Sequence, residues 1–413
     1  AMKTLFVNIK ELTGIPPAGT LRLQGDEMSR TGSIHNAWLS MDGEFISGFG
    51  PMSGCPKGHF DFRVDASGCM MLPSFCDSHS HIVYAGSREE EFIDKINGLS
   101  YEEIAARGGG ILNSADLLHS TDEDSLYRQS LERVKEMMEK GSGAIEIKSG
   151  YGLTVEDELK MLRVIRRIRE SVPAVIRATF LGAHAVGRDF SGCKDDYVSL
   201  IIREMIPRVA EEGLAEFIDV FCDDGFFSPE DMDLILTAGE RFGLRGKVHI
   251  DEIAVIGGMH VALKHKVLSV DHLEHTSEVG MALLRDSETM PTMLPGSSFF
   301  LGLPYARARD FIAGGLGIAL ASDFNPGSSP SGDMRMVMAQ ACIKMRLTPV
   351  QALNACTING AYAMGVSDIC GSVEVGKLAN LILTRPIPSL GFIPYCYSTP
   401  FIRAHYIKGK PLE

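Results

Sequence analysis

His79 and His81 close the apolar run Met70–Met71–Leu72–Pro73–Ser74–Phe75–Cys76. Alternate residues of an extended segment face the same way, so a His-x-His pair leaving a strand aims two imidazoles at one point. Two neutral imidazoles supply half of a metal site. The other half would come from His249 and Asp323, each at the end of another apolar run, Lys247–Ile250 and Ile318–Ser322. Three imidazoles and one carboxylate suit a borderline divalent ion and leave room for water. An ion bound this way lowers the pKa of its water towards ~7 and polarises a carbonyl, which is the chemistry of hydrolysis. Taken singly, His249 also reads as a core or helix-capping histidine, and Asp323 as a turn residue before Asn325–Pro326–Gly327. Only jointly with the paired histidines do they favour a ligand set.

Glu252 follows His249 by three positions, close enough to share a pocket with the ligands, where it could shuttle protons. Its plain alternative is a solvated loop carboxylate. His272, in Asp271–His272–Leu273–Glu274–His275, could polarise a scissile carbonyl or hydrogen-bond a reacting water, whereas His275 reads as structural. Lys148 reads as an ion-pairing residue of a core, with a carbamate bridging two metals as the alternative. Arg88 lies seven residues after His81 and suits bidentate capture of a substrate carboxylate. Three glutamates follow it, so a local ion pair is equally open.

These residues need a scaffold that delivers them to one mouth. The apolar runs Ser74–Asp77, Ala144–Lys148, Val175–Leu181, Ile218–Cys222, Lys247–Ile250, Leu268–Asp271, Thr292–Leu294 and Ile318–Ser322 read as strands. Helix signals separate several of them: Ser100 with Glu103 as a capping box ended by Gly108–Gly110, Thr154 before an apolar stripe from Leu159 to Ile168, and Ser228–Pro229–Glu230. Eight such strands in about 250 residues predict an α/β fold, a (β/α)₈ barrel whose chemistry sits at the C-terminal strand ends. A doubly wound open sheet is the alternative. Both termini carry short alternating runs, Leu21–Gly25 and Phe45–Gly50 at one end, Gly376–Leu383 and Ala404–Lys410 at the other. They predict a small β-sandwich domain built from residues 1–71 and 364–413 around a barrel of residues 72–363.

The 413 residues carry a net charge of −13 with no basic cluster, which argues against nucleic acid and anionic membrane as partners. An anionic small-molecule substrate then needs a locally placed Arg. Nine scattered cysteines without a Cys-x-x-Cys predict buried free thiols in a reducing compartment. With no apolar signal core in Ala1–Phe6 and no uncharged run of membrane length, the expected location is cytoplasmic.

The His79-x-His81 pair with His249, His272 and Asp323 in this order resembles the metal-dependent amidohydrolase superfamily. Longer blocks resemble its imidazolonepropionase family: His79–Ser80–His81 with Ala85–Phe92, Tyr101–Ala105 with Gly108–Ile111, Glu146–Leu153, Phe180–Val186 and Ser322–Gly327. They span residues 72 to 365, and Lys148–Leu153 and Asp323–Gly327 are the most specific. The resemblance implies one divalent or trivalent metal ion per subunit, zinc or iron, held by His79, His81, His249 and Asp323. It implies substrate contacts from Arg88, Tyr151, His184, Glu252, Asn325, Gly327 and Ser328, catalytic roles for Glu252, His272 and Asp323, and a homodimer. The implied reaction opens the ring C–N bond of 4-imidazolone-5-propanoate. No lysine lies in Ile218–Cys222, where binuclear relatives place a carboxylated one, which favours a single metal and a structural Lys148. Ser78 and Ser80 stand where the family usually has Pro and Thr, Ser328 replaces a Thr, and the stretch Pro386–Pro400 fits the family poorly. Against this reading stand a deaminase or cyclic-amide hydrolase of purines or pyrimidines, which has no use for Arg88, and a metal-holding scaffold without turnover.

Overall fold

The computed structural model describes residues 1–413 apart from the side chains of Tyr101 and Ala105, so that part of the Tyr101–Ala105 block lies outside the described residues. Eight parallel strands, Phe75–Asp77, Ser142–Lys148, Val175–Ala183, Phe217–Cys222, Arg245–Ile250, Ser269–His272, Met290–Met293 and Ala319–Leu320, follow one another in a single sheet in chain order. These are barrel strands one to eight. Nearly every residue in them is buried, as expected of parallel strands covered on both faces. Each coincides with one of the eight apolar runs to within a few residues. The eighth strand reaches the first through a parallel bridge between Ser80 and Phe324. Two hydrogen bonds flank it, Asp323 N–H to the His79 carbonyl at 3.0 Å and His81 N–H to the Phe324 carbonyl at 2.8 Å. The barrel is therefore closed by the segments that carry the candidate metal ligands.

Local chemistry starts the surrounding helices where the sequence says it should. Thr154 accepts the Asp157 N–H at the head of helix Val155–Ser171, and Leu159, Leu162, Val164, Ile165 and Ile168 are buried on its inner face. Ser228 and Asp231 form a reciprocal capping box before Pro229–Glu240. Ser100 accepts the Glu103 N–H at the start of Tyr101–Ala106. The long stretch between strands one and two folds into four helices, Glu89–Ile96, Tyr101–Ala106, Ile111–His119 and Glu123–Glu139. From the last of these, Arg133 donates to the carbonyls of Ile82 and Tyr84 at 2.8 and 2.7 Å and lies over the Tyr84 ring. That clamp fixes the loop running from His81 to Arg88.

Strands from both termini form a second, mixed eight-stranded sheet. It is one sheet that curls round its own core, since Phe6 of Lys3–Thr13 meets Tyr406 of Ile402–Ile407 edge-to-face at 5.0 Å. Leu21–Gly25 is not one of its strands, a correction to the reading of that run. Leu23 exchanges both backbone hydrogen bonds with the Asn359 amide, at 2.8 and 3.0 Å, and the Gly25 N–H reaches the Leu316 carbonyl. With its polar groups satisfied by a side chain and a barrel loop, the segment needs no strand partner. All nine cysteines are free, but only Cys69, Cys76, Cys222, Cys356 and Cys370 are buried, and Cys193 is exposed. No helix among the described residues is long and apolar enough to cross a membrane.

His405 ties this sheet to the barrel. Its Nε2 meets the Ser74 hydroxyl and its Nδ1 the Met138 carbonyl, both at 2.7 Å. Burial pushes its pKa down from 6.5 to about 4, against the Met138 hydrogen bond. The neutral ring is thus the native form, and its contribution is complete above pH ~6.5 and lost as pH falls towards ~4. We expect the urea midpoint of the wild type to drop across that window, with a loss of about 1–3 kcal/mol assigned to this group. His405→Asn should flatten that dependence; an equally steep fall in the variant would remove His405 as its source.

Candidate active site

The first strand ends two residues before His79, and the chain stays extended through His81. Both rings therefore enter the barrel mouth, with Nε2 atoms 3.1 Å apart. Each Nε2 lies 3.3 Å from Asp323 Oδ1. His79, His81 and His249 each present a ligand atom within 4.8 Å of the others, and so do His79, His272 and Asp323. The rings of His79 and His249 are 4.6 Å apart between centroids. All of these residues are buried.

Carboxylates behind the rings decide where the nitrogen lone pairs point. His79 Nδ1 meets Asp271 at 2.5 Å, and His249 Nδ1 meets Asp219 at 2.9 Å. An Nδ1–H donated backwards leaves an Nε2 lone pair facing the centre in both rings. Burial opposes ionisation of Asp271, yet Lys247 and the His79 hydrogen bond hold its carboxyl below the usual range. For Asp219 burial is likewise outweighed, here by its contact with the His249 ring and by the charge of Lys148. Lys148 sits in the floor of the barrel between Glu146 at 2.5 Å and Asp219 at 3.0 Å, and these partners outweigh burial to raise its pKa. It is an ion-pairing residue, as its sequence setting suggests. His81 differs: its Nδ1 is buried without a hydrogen-bond partner, and burial pushes its pKa to about 4, so the ring is neutral. Inward lone pairs separated by 3.1 Å repel one another unless a cation lies between them. The donor set and its anionic backing therefore fit a metal ion.

Beside this cluster lies a proton-handling group. His272 Nε2 stands 3.5 Å from Glu252 and 3.7 Å from Asp323, while Nδ1 meets Glu274 at 3.2 Å. Burial works against the His272 cation, but Glu252 and Glu274 raise its pKa well above the ordinary value. Burial pushes the Glu252 carboxyl up to about 7, with Glu274 and Asp323 adding to the shift and His272 opposing it. A carboxyl poised there can both take and give a proton near neutral pH. Burial also disfavours the Asp323 anion, but the rings of His79, His81 and His272 around it hold it well below the carboxylate range. His272, Asp323 and Asp251 all adopt positive φ, at 90°, 51° and 57°. Backbone held there by its surroundings is a form of strain typical of functional sites.

Around the mouth, His184 stacks on His81 at 5.2 Å and receives its orientation from the Gly150 carbonyl, 2.9 Å from Nδ1. Tyr151 lies beside this stacked pair, its centroid 6.1 Å from His81 and 5.3 Å from His184. Arg88 forks onto Glu91, Nε at 2.5 Å and Nη2 at 3.0 Å, so the local ion pair left open by the sequence is present. The same guanidinium reaches across to the eighth-strand loop, where a Cβ on Gly327 would meet its Cζ at 2.6 Å. Asn325 turns its side chain into that loop: its oxygen accepts the N–H groups of Gly327 and Ser328, and its nitrogen donates to the Asp323 carbonyl and the Ser328 hydroxyl. Asn325 and Ser328 thus shape the loop that faces Arg88.

Several residues of this site escape a reading of the sequence. Asp219, Asp271 and Glu274 act on histidines from other strands or from two positions away. An acidic residue inside the apolar run Phe217–Cys222 was the available signal for Asp219, because a buried charge needs a partner. Glu158 is another. Its Oε2 accepts the N–H groups of Gly150, Gly152 and Leu153 at 3.2, 2.7 and 3.1 Å, fixing the loop that presents Tyr151.

Curated relatives match the chain along its whole length. An imidazolonepropionase of Christiangramia forsetii is 50% identical over 99% of this chain and 100% of its own length. The chain belongs to the imidazolonepropionase family. It is accordingly a metal-dependent hydrolase, and residues 231–406 match the amidohydrolase family. Among solved structures, E. coli guanine deaminase aligns with a TM-score of 0.75 at 14% identity, covering 100% of this chain and 99% of that one. Atrazine chlorohydrolase from Arthrobacter aurescens, complexed with zinc, aligns at 0.73 with 13% identity over 99% and 95%. At such identities these two establish the shared barrel and nothing finer.

Two positions check the architecture of the mouth. Burial raises the Glu158 carboxyl to about 7, so Glu158→Gln should keep KM within about threefold at pH 7. Glu158→Ala orphans three buried N–H groups and should cost about 2–3 kcal/mol of stability and raise KM. Gly327→Ala should displace Arg88 and raise KM at least tenfold with little change in melting temperature, read by steady-state kinetics alongside thermal unfolding.

Proposed function

We propose that this protein hydrolyses the ring C–N bond of 4-imidazolone-5-propanoate to N-formimidoyl-L-glutamate, a step of histidine degradation. The observation that carries the reading is the placement of Arg88 against Gly327, across the mouth from Glu252 and His272. It provides a cation for the propionate and a proton-transfer pair for the ring amide. Glu91 takes the edge of the guanidinium formed by Nε and Nη2, and Gly327 packs against its flat face, where a Cβ would lie 2.5–2.7 Å from Nη1, Cζ and Nη2. Tyr151 and His184 form the wall against which the flat ring would lie.

The metal, when bound by His79, His81, His249 and Asp323, supplies a water of lowered pKa and a Lewis acid for the ring carbonyl. Glu252 takes the proton from water as its oxygen adds to that carbonyl carbon, and gives it to the departing ring nitrogen. His272 hydrogen-bonds the developing oxyanion, and Asp323 can accept a proton as the adduct collapses. One water is consumed, the carbonyl becomes a carboxylate, and the freed nitrogen ends as the formimidoyl group. We further propose one zinc or iron ion per subunit and a homodimer, both on the family resemblance. A cytoplasmic location is supported by nine free cysteines, and a small anionic substrate is the partner that a single arginine serves.

Loss of imidazolone absorbance on adding enzyme, abolished by a chelator and restored by metal, is the expected result. Absence of both metal and turnover would overturn the reading. Glu252→Gln should lower kcat by about 10²–10⁴. Arg88→Ala should raise KM by about 10–100-fold, the worth of a charge-assisted pair; an unchanged KM would remove Arg88 from carboxylate binding.

A further inference from the structure

We infer that Asp223, on the loop after the fourth strand, is the positioning residue that sets Glu252 over the barrel mouth. The inference rests on the proton-transfer role proposed for Glu252. Asp223 is 2% exposed. Its Oδ2 accepts the N–H groups of Glu252 and Ile253, both at 2.9 Å. Its Oδ1 accepts those of Ala254 at 3.0 Å and of Asp224 at 2.8 Å. Four backbone donors thus converge on one buried carboxylate.

The need for such an anchor follows from the backbone. Strand five ends at Ile250, and Asp251 at φ 57° turns the chain sharply out of the sheet. Three successive N–H groups then point the same way with no strand or helix of their own to satisfy them, a concavity that favours an anion. Asp251 is tied on its other side, accepting the Thr276 hydroxyl through its side chain at 2.7 Å and the His275 N–H through its carbonyl at 2.9 Å. The Cα of Glu252 is therefore placed from strand four and from the strand-six loop, not from strand five alone. A general base must be held within hydrogen-bond reach of its proton, and a shift near 1 Å costs about 10²-fold.

An amide cannot replace this carboxylate. Whichever way the side chain introduced by Asp223→Asn turned, its NH₂ would face backbone donors. In the metal-loaded enzyme, Asp223→Asn should lower kcat at least tenfold, with KM changed less and metal content unchanged. Added to Glu252→Gln it should lower kcat by less than twofold further, because the group it positions is already gone. A full tenfold further loss in the double variant, or wild-type kcat in Asp223→Asn, would overturn the inference and leave the role of Glu252 intact. Wild-type kcat in Glu252→Gln would instead overturn both. Should Asp223→Asn fail to fold, amide hydrogen exchange in the wild type decides: slow exchange at Glu252, Ile253 and Ala254 is expected, and exchange at the rate of an open loop contradicts the clamp.

Discussion

Three neutral imidazoles can share one buried point only if each keeps its proton on the far side of the ring. Asp271 and Asp219 impose that on His79 and His249, and the rest of the site is organised round the two contacts. Both carboxylates are buried, so they need cations, which explains Lys148 and Lys247 in the barrel floor. The anions outnumber those lysines beneath the ligands, leaving a field that favours a cation at the mouth. Asp323 joins the set from the opposite seam. Because its N–H and that of His81 also close the barrel, ligand geometry and barrel closure cannot vary independently.

The loops above follow a second rule. Backbone leaving a strand end carries unsatisfied N–H groups, and here buried carboxylates collect them: Glu158 for the Tyr151 loop and Asp223 for the Glu252 loop. Asn325 does the equivalent for the loop of Gly327 with its amide. Functional side chains are thereby fixed by neighbouring polar groups that take up the backbone of their loops. Arg133 extends the device to the loop bearing Arg88, using carbonyls in place of N–H groups.

Short apolar runs made the eight strands legible, most of them with a polar group at the C-terminal end, and caps such as Thr154 and Ser228 marked their helices. The residues His79, His81, His249, His272 and Asp323 could be singled out because their types are those of ligands and acid–base groups at strand ends. Asp219, Asp271, Glu158 and Asp223 could not, because their meaning lies in partners from other strands or from backbone whose direction no local pattern reveals. Leu21–Gly25 misled for the same reason: its alternation is that of a strand, but Asn359, more than three hundred residues away, takes its hydrogen bonds. Of the two readings of Arg88 the local ion pair with Glu91 is present, and the same guanidinium lies against Gly327.

The central claim is a single metal ion at the point where the imidazoles converge. Anomalous diffraction from crystals of the active enzyme, recorded on either side of the zinc and iron absorption edges, tests it most directly. One peak per chain, within bonding distance of His79, His81 and His249 Nε2 and of Asp323, is the predicted result. Two peaks, a peak elsewhere, or none in fully active protein would contradict it.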